Sequence, residues 1–256
     1  MIISKVGNDF SAIMPNERSA RIMSEVMKMM VSEHGKKVLD IGCGDGTVAF
    51  ILNGMGMKVT GVDRNHENIV KARAKDVDAV EINAENLFFD KEFDVAFSIN
   101  ALHKMRHPTM VLDSVYRALI PEGRFIGEIA GDGNDGPLNN AILKVLAERE
   151  KNGLYLFDYY QPSVDDYREK LESKGFWVRN IEAVSFCVSV PDDADEWLKT
   201  KLSSFQETLF DNDGVRDKFF NEVKDELFSD LRKENGKYQL PQNSIIFYAI
   251  KKEDDV

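Results

Sequence analysis

The sequence predicts an α/β fold: a doubly wound, seven-stranded, mainly parallel sheet with an antiparallel last strand and a helical insertion. Three observations carry this expectation. The apolar run Lys37-Val38-Leu39-Asp40-Ile41 leads straight into Gly42-x-Gly44-x-Gly46 and then a helical pattern, which reads as a strand feeding a ligand loop. The β-branched run Lys58-Val59-Thr60-Gly61-Val62-Asp63 ends in an acid about twenty positions beyond that loop. Strand-like and helix-like segments then alternate as far as Ile129, the pattern of parallel βαβ units.

Composition excludes several function classes. The chain has 256 residues, 43% hydrophobic and 30% charged, enough to bury a sizeable core in one large domain with an insertion. A formal net charge of -11 argues against unaided binding to nucleic acid or an anionic membrane. Cys43 and Cys187 are far apart and have no Cys or His at ligand spacing, so neither a metal site nor a disulfide framework is expected. A cytoplasmic protein, either monomer or homodimer, that binds neither nucleic acid nor membrane is the resulting expectation, since no run approaches the ~20 apolar residues of a membrane span.

Along the chain, Pro15 to His34 carries a helical stripe of Ile22, Met23, Val26, Met27 and Met30, and residues 1–35 are expected to form an N-terminal helical cap, with Phe10 to Asn16 as an active-site flap. Thr47 to Met55 is a short helix closing at Gly56, and Asn65 to Lys75 a second. Val77 to Ile82 reads as the third strand and Glu92 to Asn100 as the fourth. His107-Pro108 opens a helix with Met110, Val111, Val115, Leu119 and Ile120 on its apolar face. Residues 36–190 with 240–256 are assigned to the core, and 191–239, with stripes around Trp197/Leu198/Leu202 and Phe219/Phe220/Val223/Leu227, to helices over the substrate side.

The glycine loop separates two cofactor classes. Dinucleotide sites use G-x-G-x-x-G and seat a pyrophosphate on it, which a carboxylate such as Asp40 would repel; a cationic amino-acid ligand would pair with it. Asp40-x-Gly42-x-Gly44-x-Gly46 resembles motif I of the class I S-adenosylmethionine-dependent methyltransferases. Asn83-Ala84-Glu85-Asn86-Leu87 is similar to that family's adenine loop, with Asn83 where Asp is common. Phe93 to Asn100 resembles its fourth strand, and Leu119-Ile120-Pro121-Glu122-Gly123 its proline turn, with Glu122 where glycine is common. The Gly131 to Gly136 loop and the Tyr160 to Phe176 segment look similar to the trans-aconitate methyltransferase branch.

The resemblance implies a Rossmann-like methyltransferase fold and S-adenosyl-L-methionine as cofactor. It assigns Asp40, Gly42, Cys43, Gly44, Asp63, Arg64, Asn83, Ala84, Glu85 and Asn100 to cofactor binding, with Asp40 and Asn100 at the methionine part, Asp63 at the ribose, and the Asn83-Ala84-Glu85 loop at the adenine. His103 is the expected catalytic residue, beside the acceptor; Lys104 departs from the Trp often found there. A small carboxylate acceptor is implied by the branch, with a quinone-like or carrier-bound acceptor, or a non-catalytic cofactor-binding protein, as the alternatives.

Overall fold

The computed structural model describes residues 17–30, 33–148, 160–191, 193–202 and 213–253; the expected flap at Phe10 to Asn16 lies outside them. The sheet runs in the order β3-β2-β1-β4-β5-β8-β6, with β7 pairing β8. Its members are β1 (Lys37–Ile41), β2 (Lys58–Asp63), β3 (Asp78–Glu81), β4 (Phe93–Ser98), β5 (Leu119–Ala130), β6 (Phe176–Ser189), β7 (Arg232–Glu234) and β8 (Lys237–Lys251). The first five strands are parallel, and β8 joins β5 antiparallel through Arg124↔Ile250 to Ala130↔Ser244. Strand order therefore reverses between β1 and β4, which opens a crevice at their carboxyl ends, where doubly wound sheets bind ligands.

The helices are α1 (Glu17–Met30), α2 (Thr47–Gly54), α3 (His66–Arg73), α4 (Pro108–Ala118), α5 (Gly136–Glu148), α6 (Val164–Ser173), α7 (Ala194–Lys201) and α8 (Asp213–Asp230). The α1 stripe is buried as its spacing requires, from Ile22 to Met30; each such side chain is worth about 2 kcal/mol of transfer free energy. Ser163 caps α6 and Asp166 returns the bond, while Gly175 stands just past its end at φ 91°. On α4, Val111 and Val115 are buried as expected and Leu112 with them, but Met110 is exposed, and Leu119 and Ile120, expected on the same helix face, open β5 instead.

Two compact units divide the chain. One comprises Met1–Asp132, Tyr159–Val184 and Ser244–Val256, and the other Gly133–Asp158 and Ser185–Asn243. The sheet core of the first gathers Leu39, Ile41, Phe93, Phe125, Tyr167 and Phe247. In the second, Leu138, Ile142 and Leu146 of α5 pack with Leu198 of α7 and with Phe219, Val223 and Leu227 of α8. The unit boundary thus falls before α5, not at residue 191, because the apolar face of α5 is covered by the inserted helices. The β7–β8 hairpin, absent from the strands expected from sequence, turns on Asn235 and Gly236, both at positive φ.

Candidate functional site

Main-chain geometry builds the glycine loop. Gly42 N and Cys43 N both donate to Val62 O, at 2.8 and 3.0 Å, folding the end of β1 over β2. Gly42 has φ 72°, and a Cβ there would stand 2.4 Å from Ala101 Cβ, so only glycine lets the loop close against the segment after β4. Gly44, also left-handed, faces open space. Lys75, just beyond α3, clamps the far side of the loop through Asp45 Oδ2 at 2.6 Å and Thr47 Oγ1 at 2.7 Å.

Asp63 is oriented by the same loop. Its Oδ2 accepts the Gly44 N–H at 3.0 Å and its Oδ1 accepts the Asn65 N–H at 2.8 Å, which fixes the carboxylate at the end of β2 and leaves lone pairs on each oxygen for hydroxyl donors. Asp40, on the neighbouring strand, is 2% exposed. Among the described residues nothing donates to its buried Oδ2. Burial, and then the charge of Asp63, push the Asp40 carboxyl up to about 7. An unpaired buried acceptor of this kind costs about 1–3 kcal/mol, a cost that a cationic hydrogen-bond donor in the crevice would remove.

Both acids border a cavity of ≈ 420 Å³. Every residue expected at the cofactor lines it: Asp40, Gly42, Cys43, Gly44, Asp63, Arg64, Asn83, Ala84, Glu85 and Asn100. Cys43 is buried there, and burial, followed by the charges of Asp40 and Asp63, drives its thiol far above the usual range, so it stays a neutral packing group. In the adenine loop the Asn83 side-chain oxygen accepts the Glu85 N–H at 3.0 Å and caps a single 3₁₀ turn, Ala84–Asn86.

Glu85 is turned elsewhere. Its Oε1 accepts the His107 N–H at 3.1 Å and its Oε2 meets His107 Nδ1 at 2.9 Å. Burial works against its ionisation, yet the His107 bonds hold its carboxyl below the usual carboxylate range. Its charge is thus committed to the start of α4, and Asn83 is the freer acceptor for an exocyclic amine.

His103 stands apart from the rest of the expected set. It sits in the 3₁₀ turn Leu102–Lys104, 7% exposed, and does not line the cavity, whereas Ala101, Lys104 and Met105 do. Its carbonyl accepts the Tyr160 N–H at 3.0 Å. Sequence reasoning also missed Ser19 of α1 and the apolar wall of Phe97, Ile99 and Met105. A signal existed for the wall, since Phe97 on β4 and Ile99 just past its end alternate in the sequence; none existed for Ser19.

The comparisons with known proteins agree with this geometry. A family model described as a methyltransferase domain matches residues 39–127, from β1 into β5. An uncharacterized methyltransferase of Schizosaccharomyces pombe is 30% identical over 249 residues, covering 90% of this chain and 92% of its own length. This chain belongs to the class I S-adenosylmethionine-dependent methyltransferases. The methyltransferase is also 33% identical, over 102 residues, to a ubiquinone biosynthesis O-methyltransferase of Pseudomonas entomophila, covering 37% of this chain and 44% of that one. In fold it is similar to phosphoethanolamine N-methyltransferase 2 of Haemonchus contortus, solved with phosphomonomethylethanolamine and S-adenosylhomocysteine: the TM-score is 0.54 at 20% identity, over 92% of this chain and 52% of that one.

As a methyltransferase, it takes S-adenosylmethionine as its cofactor, and the cavity fits that group chemically. It offers carboxylates for a cationic amino acid and for ribose hydroxyls, an amide for adenine, and an apolar wall. Among the described residues no group of His, Cys, Asp and Glu could hold a metal ion, and no helix is long and apolar enough to cross a membrane.

Proposed function

We propose that this methyltransferase methylates an oxygen of a small-molecule acceptor, with Asp40 and Asp63 holding the two ends of the cofactor's amino-acid and ribose parts. The buried, unpartnered Oδ2 of Asp40 beside a second acid carries the reading, because that arrangement favours a cation-bearing ligand over a pyrophosphate. When bound, the cofactor supplies a methyl group activated by the sulfonium. Asn83 and Ala84 then receive the adenine, Arg64 borders the ribose, and Gly42, Cys43, Gly44 and Asn100 border the methionine part.

Oxygen as the acceptor atom is supported by the partial similarity to ubiquinone biosynthesis O-methyltransferases. A carboxylate oxygen is supported by the likeness of Gly131 to Gly136 and Tyr160 to Phe176 to the trans-aconitate branch. A carboxylate is already nucleophilic, so the protein need only align and desolvate it. A hydroxyl acceptor would require a base, and His103, the residue expected for it, does not line the cavity, so the reading favours the carboxylate, which needs none.

Incubating the full-length protein with methyl-labelled cofactor and a deproteinised metabolite extract, then identifying the labelled product, tests the proposal. A labelled ester or ether of a small molecule is expected. Label appearing on nitrogen or carbon would overturn the acceptor atom, and bound cofactor with no labelled product would overturn turnover itself.

A further inference from the structure

Behind the cavity wall lies an acid that the reaction does not touch. Glu128 of β5 is fully buried and does not line the cavity. Its Oε2 accepts the backbone N–H of Asn100 at 2.8 Å, and its Oε1 accepts the Ser244 hydroxyl of β8 at 2.7 Å. The β4–β5 ladder ends at Ser98↔Gly127, so Asn100 lies past the last strand pair. Asn100 has φ 56°, in the left-handed region that asparagine reaches more readily than most residues with a Cβ.

Position gives this bond its consequence. Asn100 lines the cavity, and the next residue, Ala101, is the one against which Gly42 closes. The backbone that Glu128 grips therefore sets the gap between the glycine loop and the end of β4. Both side-chain oxygens of Glu128 are engaged, one on the main chain beside the cavity and one on β8, so the bond ties that main chain to the sheet. We propose that Glu128 is a positioning residue: through the main chain of Asn100 it holds the wall that faces the methionine end of the cofactor. This rests on the reading of the cavity as the cofactor site.

Calorimetric titration of the full-length protein with S-adenosylmethionine and with adenosine, which lacks the methionine part, tests it. Glu128→Met removes the acceptor; Glu128→Gln keeps one, since its amide oxygen can take the Asn100 N–H and its NH₂ can donate to Ser244. Glu128→Met is expected to weaken S-adenosylmethionine by about tenfold or more while adenosine stays within about twofold, and Glu128→Gln to stay within about threefold of the wild type for both. Equal losses for the two ligands, no loss in Glu128→Met, or no recovery in Glu128→Gln would overturn the proposal. If Glu128→Met does not fold, Ser244→Ala replaces it: a loss of about threefold confined to S-adenosylmethionine supports the role, and any other pattern overturns it. A wild type that binds neither ligand would overturn the cofactor reading itself.

Discussion

Burial and the neighbouring charge of Asp63 raise the Asp40 carboxyl to about 7, so near neutral pH the empty protein holds a proton there that a cationic ligand must displace. Cofactor affinity is therefore expected to rise with pH between about 6 and 8, and Asp40→Asn to flatten that rise. The linkage to stability has the opposite sense. Above its unfolded value of 3.8 the carboxyl keeps a proton in the folded state that the unfolded chain gives up. The difference in unfolding free energy between wild type and Asp40→Asn should then fall as pH climbs from about 4 to 7, by at most about 1.4 kcal/mol per pH unit. Urea titrations along that range read it; a difference that grows with pH would contradict the assignment. At this scale the placement of the acids was legible in the sequence because Asp40 is the penultimate residue of β1 and Asp63 the last of β2. His103 was not, since which side chain of one 3₁₀ turn faces a cavity depends on the turn's rotation, and that rotation places Lys104 and Met105 on the cavity and His103 off it.

Elements follow their local signals closely where the signal is chemical. The Ser163 cap and the Gly175 stop of α6 appear as residue types demand. Pro121-Glu122-Gly123, expected as a turn into the fifth strand, lies inside β5 where the pairing with β4 jumps from Phe93↔Leu119 to Val95↔Arg124, and Glu122 there has φ 60° on an exposed position. A left-handed residue with a Cβ costs about 1–2 kcal/mol, and glycine's extra unfolded-state freedom returns about 0.4–1 kcal/mol of that. Glu122→Gly is therefore expected to stabilise the protein by roughly 0.5 kcal/mol, read as a rise of a degree or two in Tm; a lower Tm would mean that the Glu122 side chain makes a contact of greater value. The β7–β8 hairpin escaped notice although Asn235-Gly236 is the dipeptide that a two-residue hairpin turn favours. Its flanks, Arg232 to Glu234 and Lys237 to Gln239, carry no apolar alternation to mark them as strands.

For the molecule as a whole, the alternation of strands and helices and the antiparallel end of the sheet were readable because the parallel strands other than β3 lead into helices; β3 is followed only by the 3₁₀ turn Ala84–Asn86. The partner of α5 was not: its stripe of Leu138, Ile142 and Leu146 announces that something covers it, but only the folded chain shows that α7 and α8 do. What the fold does for function is bring Asp40 and Asp63, from strands paired Asp40↔Gly61, to one crevice where the sheet order reverses. The most direct measurement of that claim is calorimetric titration of the wild type and Asp63→Ala with S-adenosylmethionine and with NAD, alongside their thermal unfolding. The account predicts binding of S-adenosylmethionine and not NAD by the wild type, and a loss of about a hundredfold or more in Asp63→Ala, equivalent to about 2.7 kcal/mol, without loss of the fold. Unchanged affinity in Asp63→Ala, or preference for NAD, would contradict it.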